Sequence, residues 1–268
     1  MFNFRAVLLL ALLTAVGCDQ SPQTPDTAKQ SYPGIIRSSP ERRERAEREW
    51  ERLLDAYGAP KSPPDFYPIT HTPRSLLKVN GGLKILPNGP APDASGTELR
   101  QQMKVFIDKW QDLLGADTAT VSLVSADSTG DATRLTYRQA SYPFPVAGAY
   151  GEMTAVVSRD GRLLQLDDRF IPVVELPLKP AIERNAAAQG VVGRTFTYSD
   201  IAGRPQQVKI GGPEEVSVKR LVVLPIEKGN EIRVHLAWEV MAGQALSWTV
   251  YVDAMTGEEL RADQNFNT

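Results

Sequence analysis

Residues 235–264 read HLAWEVMAGQALSWTVYVDAMTGEELRADQ. Ile232–Val240 and Trp248–Val252 alternate apolar and polar side chains, and a last short apolar run follows at Leu260. A period of two is the mark of half-buried strands. Between the last two runs, Asp253 and Gly257 have the chemistry of a tight turn, Asp for side-chain-to-backbone bonding and Gly for positive φ. Trp238 and Trp248 supply core area. The stretch predicts antiparallel strands whose residues build a fold and do no chemistry themselves.

Upstream, the same period predicts a strand over Val216–Leu224, closed by a turn at Glu227-Lys228-Gly229-Asn230. A short helix is expected over Lys179–Gln189, ending at Gly190. Earlier strands are signalled at Val121 and Leu123, at Leu135 and Tyr137, and at Met153, Ala155 and Val157, with a hairpin turn at Asp160-Gly161 leading to Leu164 and Leu166. Helical spacing of Leu99, Met103, Phe106, Ile107, Trp110 and Leu114 predicts one helix over 97–114, stopped by Gly115. Leu76–Leu86 reads as a strand or hairpin around Gly81-Gly82. Residues 39–58 form a charged amphipathic helix: Ser39 caps it, Pro40 suits its first turn, and Ala46, Trp50, Leu53, Leu54 and Tyr57 make one narrow stripe. A helix of this kind lies on the outside of a domain or docks a partner. Strand runs with segregated helices give an α+β class with antiparallel sheets, in two units spanning residues 59–176 and 177–268.

The amino-terminal part differs. Residues 1–17 carry Arg5 and then an apolar run from Ala6 to Ala15, too short to span a bilayer and typical of an export signal. The run ends Ala15-Val16-Gly17-Cys18, which resembles the lipobox of bacterial lipoproteins, with Ala15 where Leu is more usual. The resemblance implies acyl chains on Cys18 as a membrane anchor, with the domain outside the cytoplasm. Asp19 resembles the residue that in some bacteria retains lipoproteins at the inner membrane. Residues 18–38, rich in Pro, Ser, Thr and Gln, read as a flexible tether.

Composition narrows the function. Apolar content of 42% with 23% charged residues suits a globular chain. The net charge of −2 leaves no basic excess to hold a polyanion, so no nucleic acid partner is expected. One cysteine excludes an intramolecular disulfide or a Cys-based zinc site.

Two stretches resemble a known pair of modules. Thr133–Leu176 contains Tyr137, Gln139, Pro145-Val146, Gly148, Asp160-Gly161 and Pro172 in register with the propeptide module of fungalysin- and thermolysin-type metallopeptidases, although Pro143-Phe144 replaces the usual Gly-Ile or Gly-Val. Leu236, Ala237, Trp238, Val240, Trp248, Val252, Asp253, Ala254, Thr256-Gly257 and Leu260 resemble the PepSY-type module that follows in those propeptides. The resemblance implies a propeptide-like fold. In a precursor, a zinc-binding catalytic domain would begin soon after Leu260, and this chain stops at Thr268.

The side chains point away from catalysis. His71 and His235 lack the His-Glu-x-x-His spacing of zinc peptidases. His71 falls in a Pro-rich loop, and His235 on the polar side of a strand. Ser75-Leu76-Leu77-Lys78 has Ser-x-x-Lys spacing without the partner motifs of penicillin-binding enzymes. Asp127–Asp131 and Asp253–Glu258 lack the spacing of a calcium loop and read as turns. Asp167 and Asp168, adjacent on a strand, face opposite sides. No metal, cofactor or catalytic residue is expected. The expectation is a non-catalytic binding lipoprotein whose protein partner is an extracytoplasmic metallopeptidase, inhibited or chaperoned in trans, or else a component of an envelope complex that it scaffolds. A hydrolase would need polar groups converging in one cleft.

Overall fold

A computed structural model describes residues 32–76, 81–86 and 97–267. In chain order the elements are β1 (Gly34–Arg37), α1 (Pro40–Ala56), β2 (Asp65–Phe66), β3 (Pro73–Ser75), β4 (Leu83–Lys84), α2 (Thr97–Lys109), α3 (Gln111–Leu114), β5 (Val121–Thr129), β6 (Ala132–Gln139), β7 (Glu152–Ser158), β8 (Arg162–Asp168), α4 (Arg184–Gln189), β9 (Thr195–Ser199), β10 (Pro205–Lys209), β11 (Val216–Lys228), β12 (Glu231–Ala242), β13 (Trp248–Asp253) and β14 (Glu259–Gln264). The class is α+β, strand-rich and antiparallel.

Helix α1 follows the punctuation of its sequence. Ser39 accepts the Arg42 N–H, Pro40 opens the first turn, and Glu41 complements the dipole. Its apolar stripe is wholly consumed: Ala46, Trp50, Leu53 and Leu54 are buried, and the Trp50 indole donates to Ser62 O at 2.8 Å. The stripe is therefore part of a core, with Tyr57 partly buried at its end. The helix expected over 97–114 is two, broken at Trp110 (φ −113°, ψ 26°), whose N–H still reaches Phe106 O and Ile107 O. Gly115 takes the left-handed φ of 66° and ends α3.

Strands β4-β8-β7-β6-β5 make the first sheet. One face carries Leu135, Tyr137, Met153, Ala155, Val157, Leu163 and Leu166, all buried against α1, α2 and α3. The other carries Arg134, Arg138, Thr154 and Gln165. A register shift between Val156 and Val157 alters the expected alternation in β8: Leu163, fully buried, takes the core position and Leu164 is 41% exposed.

In the second sheet β12 is the central strand. β11 runs along one of its edges. The other edge is shared end to end by β1, opposite Glu231–Val234, and β13, opposite Ala237–Ala242. β14 then pairs with β13. The expected tether is thus shorter than residues 18–38. Gly34–Arg37 is a strand with Ile36 buried, and a Cβ on Gly34 would come within 2.6 Å of Val174 Cγ2. Four residues carry too little alternation to signal a strand, and their partner is remote in sequence. Only the start of the expected 179–189 helix forms otherwise: Ala181 and Ile182 stay outside the helix, both N–H groups bonding Ala254 O.

Residues 139–147 join the two sheets. The Gln139 amide donates to Ile171 O and accepts from Ile171 N, Tyr142 Oη donates to Pro172 O and accepts from Val174 N, and Val223 N donates to Pro145 O while Ala147 N donates to Val223 O. Ser31–Thr268 is one compact unit.

Because Trp50 fills the space between α1 and the first sheet, Trp50→Ala should cost about 3–5 kcal/mol, the range for deleting a large buried aromatic. Urea unfolding of the full chain measures it; a loss below about 1 kcal/mol would mean that α1 is peripheral to the core.

Candidate functional site

The two histidines are separate. His71 is buried on the loop between β2 and β3, in a left-handed conformation (φ 59°), and its Nε2 lies 2.9 Å from Ser38 Oγ. Burial, then the charges of Arg42 and Arg43, lower its pKa and favour the neutral ring. A cleft of about 370 Å³ adjoins it, lined also by Arg42, Arg45, Thr70, Asp117 and Thr120. A serine beside a neutral imidazole is two parts of a nucleophile triad. Among the described residues no carboxylate bonds His71 Nδ1, so the pair lacks an orienting group.

His235 is half-buried. Its Nδ1 lies 2.8 Å from Asp253 Oδ2, which also accepts from Tyr32 Oη at 2.9 Å. Asp253 Oδ1 accepts Met255 N and Thr256 N, the side-chain-to-backbone turn read from the sequence. Burial alone would raise the Asp253 pKa; the bonds from His235, Met255 N, Tyr32 and Thr256 N outweigh it and hold the carboxyl below its ordinary value. Every lone pair is engaged, so this cluster is structural.

Asp167 and Asp168 do face opposite sides. Asp167 accepts from Tyr67 Oη at 2.7 Å and pairs with Arg169. Asp168 is fully buried: Oδ1 accepts Phe170 N, Oδ2 has no partner, and burial raises its pKa well above the usual carboxylate range. Asp127 accepts from Ser125 Oγ near the β5–β6 turn. Ser75 ends β3, whereas Leu77 and Lys78 lie outside the described residues, as do Cys18 and Asp19. Among the described residues no three His, Cys, Asp or Glu side chains stand together as a metal site, and no helix is long and apolar enough to cross a membrane.

One further feature was not singled out in the sequence. β5 is the edge of the first sheet, and α2 runs beside it. Between them lies a groove of about 490 Å³, walled by Arg100, Gln101 and Lys104 and floored by Val121, Leu123 and Tyr137. Thr118, at one end, is fixed by Asp108, which accepts its N–H and its hydroxyl. Tyr137 is 3% exposed, its hydroxyl has no partner, and burial pushes its pKa up to about 12. An unsatisfied buried hydroxyl costs about 1–3 kcal/mol. At a register shift on the rim stands Val124, 47% exposed. The residues are scattered, Arg100 to Tyr137, so only the helix–strand packing brings them together.

No family model matches this chain, and no curated protein does. Among solved structures it is similar to the C-terminal domain of Bacillus megaterium YpeB, at 12% identity over 87% of this chain and 100% of that one, with a TM-score of 0.38. At that score the likeness carries no argument about fold or role.

The buried carboxyls set opposite pH slopes. Asp253, with a lowered folded pKa, adds stability above its unfolded value of about 3.9 that is lost as pH falls through the folded value. Asp168, with a raised folded pKa, stays protonated while the unfolded chain ionises, so it subtracts stability as pH rises above about 4. The advantage of Asp168→Asn over the parent in urea unfolding should therefore grow from pH 4 to pH 8. A constant difference would mean that the buried group is ionised.

Proposed function

We propose that this chain is a non-catalytic lipoprotein of the cell envelope that receives an extended segment of a protein partner along β5. The observation that carries the reading is the β5 edge, which no strand among the described residues pairs, beside an open groove. An exposed edge presents backbone donors and acceptors to which an extended chain adds as a further strand, while the flanking groove takes its side chains. Acyl chains on Cys18 hold the protein to a membrane with its domain outside the cytoplasm, and Asp19 favours the inner membrane. The resemblance to metallopeptidase propeptides supports an extracytoplasmic metallopeptidase as the partner, inhibited or assisted in folding in trans.

A scaffold of an envelope complex is the second reading. The outward face of α1, with Arg43, Glu44, Arg45 and Arg48 exposed, favours it as a charged surface beside the anchor.

Capture of the native protein from gently solubilised membranes after brief crosslinking separates the readings. A zinc peptidase recovered with the parent and lost with Val124→Lys, which sets a charge on the β5 edge, is the expected result. Envelope assembly components, recovered equally by both forms, would favour the scaffold. In the same cells Cys18→Ser should move the protein from the membrane to the soluble extracytoplasmic fraction; membrane retention would refute the lipid anchor.

A further inference from the structure

Helix α2 carries three basic side chains, Arg100, Lys104 and Lys109, and their surroundings differ. Lys109 lies over the Tyr57 and Trp110 rings, 5.4 and 5.1 Å from their centroids. Arg100 and Lys104 are exposed on the groove wall and, among the described residues, have no hydrogen bond or ion pair. Among the described residues no acidic side chain lines the groove, and the nearby Asp108 accepts from Thr118. Two cations thus line a concave surface whose described lining carries no carboxylate, which favours an anionic guest. A second observation points the same way: Tyr137, 97% buried by its 3% exposure, carries a hydroxyl without an acceptor at the groove floor, close enough to Arg100 to feel its charge.

Resting on the β5-edge reading, we infer that the groove selects an acidic segment, with two carboxylate side chains two residues apart on one face of an extended partner chain, taken by Arg100 and Lys104. The spacing follows from geometry. Side chains at i and i+4 of a helix stand about 5–6 Å apart, and same-face side chains of an extended chain about 6.6–7 Å apart. Arg100 offers a planar fork to one carboxylate and Lys104 a point charge to the other. Tyr137 Oη donates to a carboxylate or carbonyl oxygen that settles against the floor. Val121 and Leu123 line the same face as the acidic side chains, and the partner's intervening side chains point to the opposite face of the sheet. Binding of this kind weakens as salt rises, because the two cations are exposed.

The test is selection of random dodecapeptides displayed on phage against the immobilised full chain, followed by fluorescence anisotropy with the synthetic consensus peptide. The expected consensus carries Asp or Glu at i and i+2. Its affinity should fall at least ten-fold in the double variant Arg100→Glu, Lys104→Glu, and when both acids become amides. Tyr137→Phe keeps the fold and should weaken the acidic peptide alone. A consensus without acids, lost with Val124→Lys but indifferent to the charge reversal, overturns this inference and leaves the edge reading standing. No enrichment, or enrichment indifferent to every variant, overturns both. Phosphatidylglycerol vesicles bound by the Cys18→Ser full chain and released by the charge reversal would assign the cations to lipid and overturn the inference.

Discussion

β12 has twelve residues and β13 only six, so the edge of β12 that faces away from β11 has more backbone donors and acceptors than its hairpin partner can pair. Unpaired groups there would cost free energy or invite another chain. β1 meets the need by covering the remaining length, and the Tyr32 hydroxyl closes the seam between β1 and β13. Oη lies 3.1 Å from Leu236 N, 3.2 Å from Leu236 O and 2.9 Å from Asp253 Oδ2. The turn after β13, the seam and the neighbouring imidazole thus converge on one carboxylate. The second sheet has its present width because that carboxylate is fully satisfied.

What could be read in the sequence was what local chemistry dictates. The Ser39 cap, the stripe of α1, the Asp160-Gly161 turn and the alternation of β6, β7, β12 and β13 each state their conformation within a few residues. So did the Asp253 turn. The exceptions depend on distant partners. β1 is defined by β12, and the short α4 by the carbonyl of Ala254. The β8 bulge is defined by its pairing with β7. The β9–β10 hairpin was legible in principle, since Thr195-Phe196-Thr197-Tyr198 alternates before Ala202-Gly203. Its meaning lies in Phe196 stacking on Trp248 at 4.8 Å. The α2–β5 groove is a product of packing, so no single motif announces it.

The recurring residues of the two resembling stretches have structural work that explains their identity without any reaction. Gln139 replaces a missing strand neighbour for Ile171, Tyr142 holds Pro172 and Val174, and Pro145–Ala147 exchanges backbone bonds with Val223. These bonds fix how the first sheet continues into the second. Polar burial is tolerated where it is paired, as at Gln139 and Asp253, and left incomplete at Asp168 and Tyr137. The first of these lies in the core. The second faces the groove, where an arriving group can supply what is missing.

The seam at Tyr32 also constrains the order in which the molecule can be finished. Tyr32 and Leu236 are 204 positions apart. A chain delivered amino terminus first therefore holds its first strand idle until almost all of the rest has emerged, and contacts of such long range are slow to form. A product truncated before β12 has no place for β1, and one cut after Arg37 leaves the Glu231–Val234 end of β12 with an open edge. The β1–β12 pairing therefore closes only on a chain in which both strands have been made.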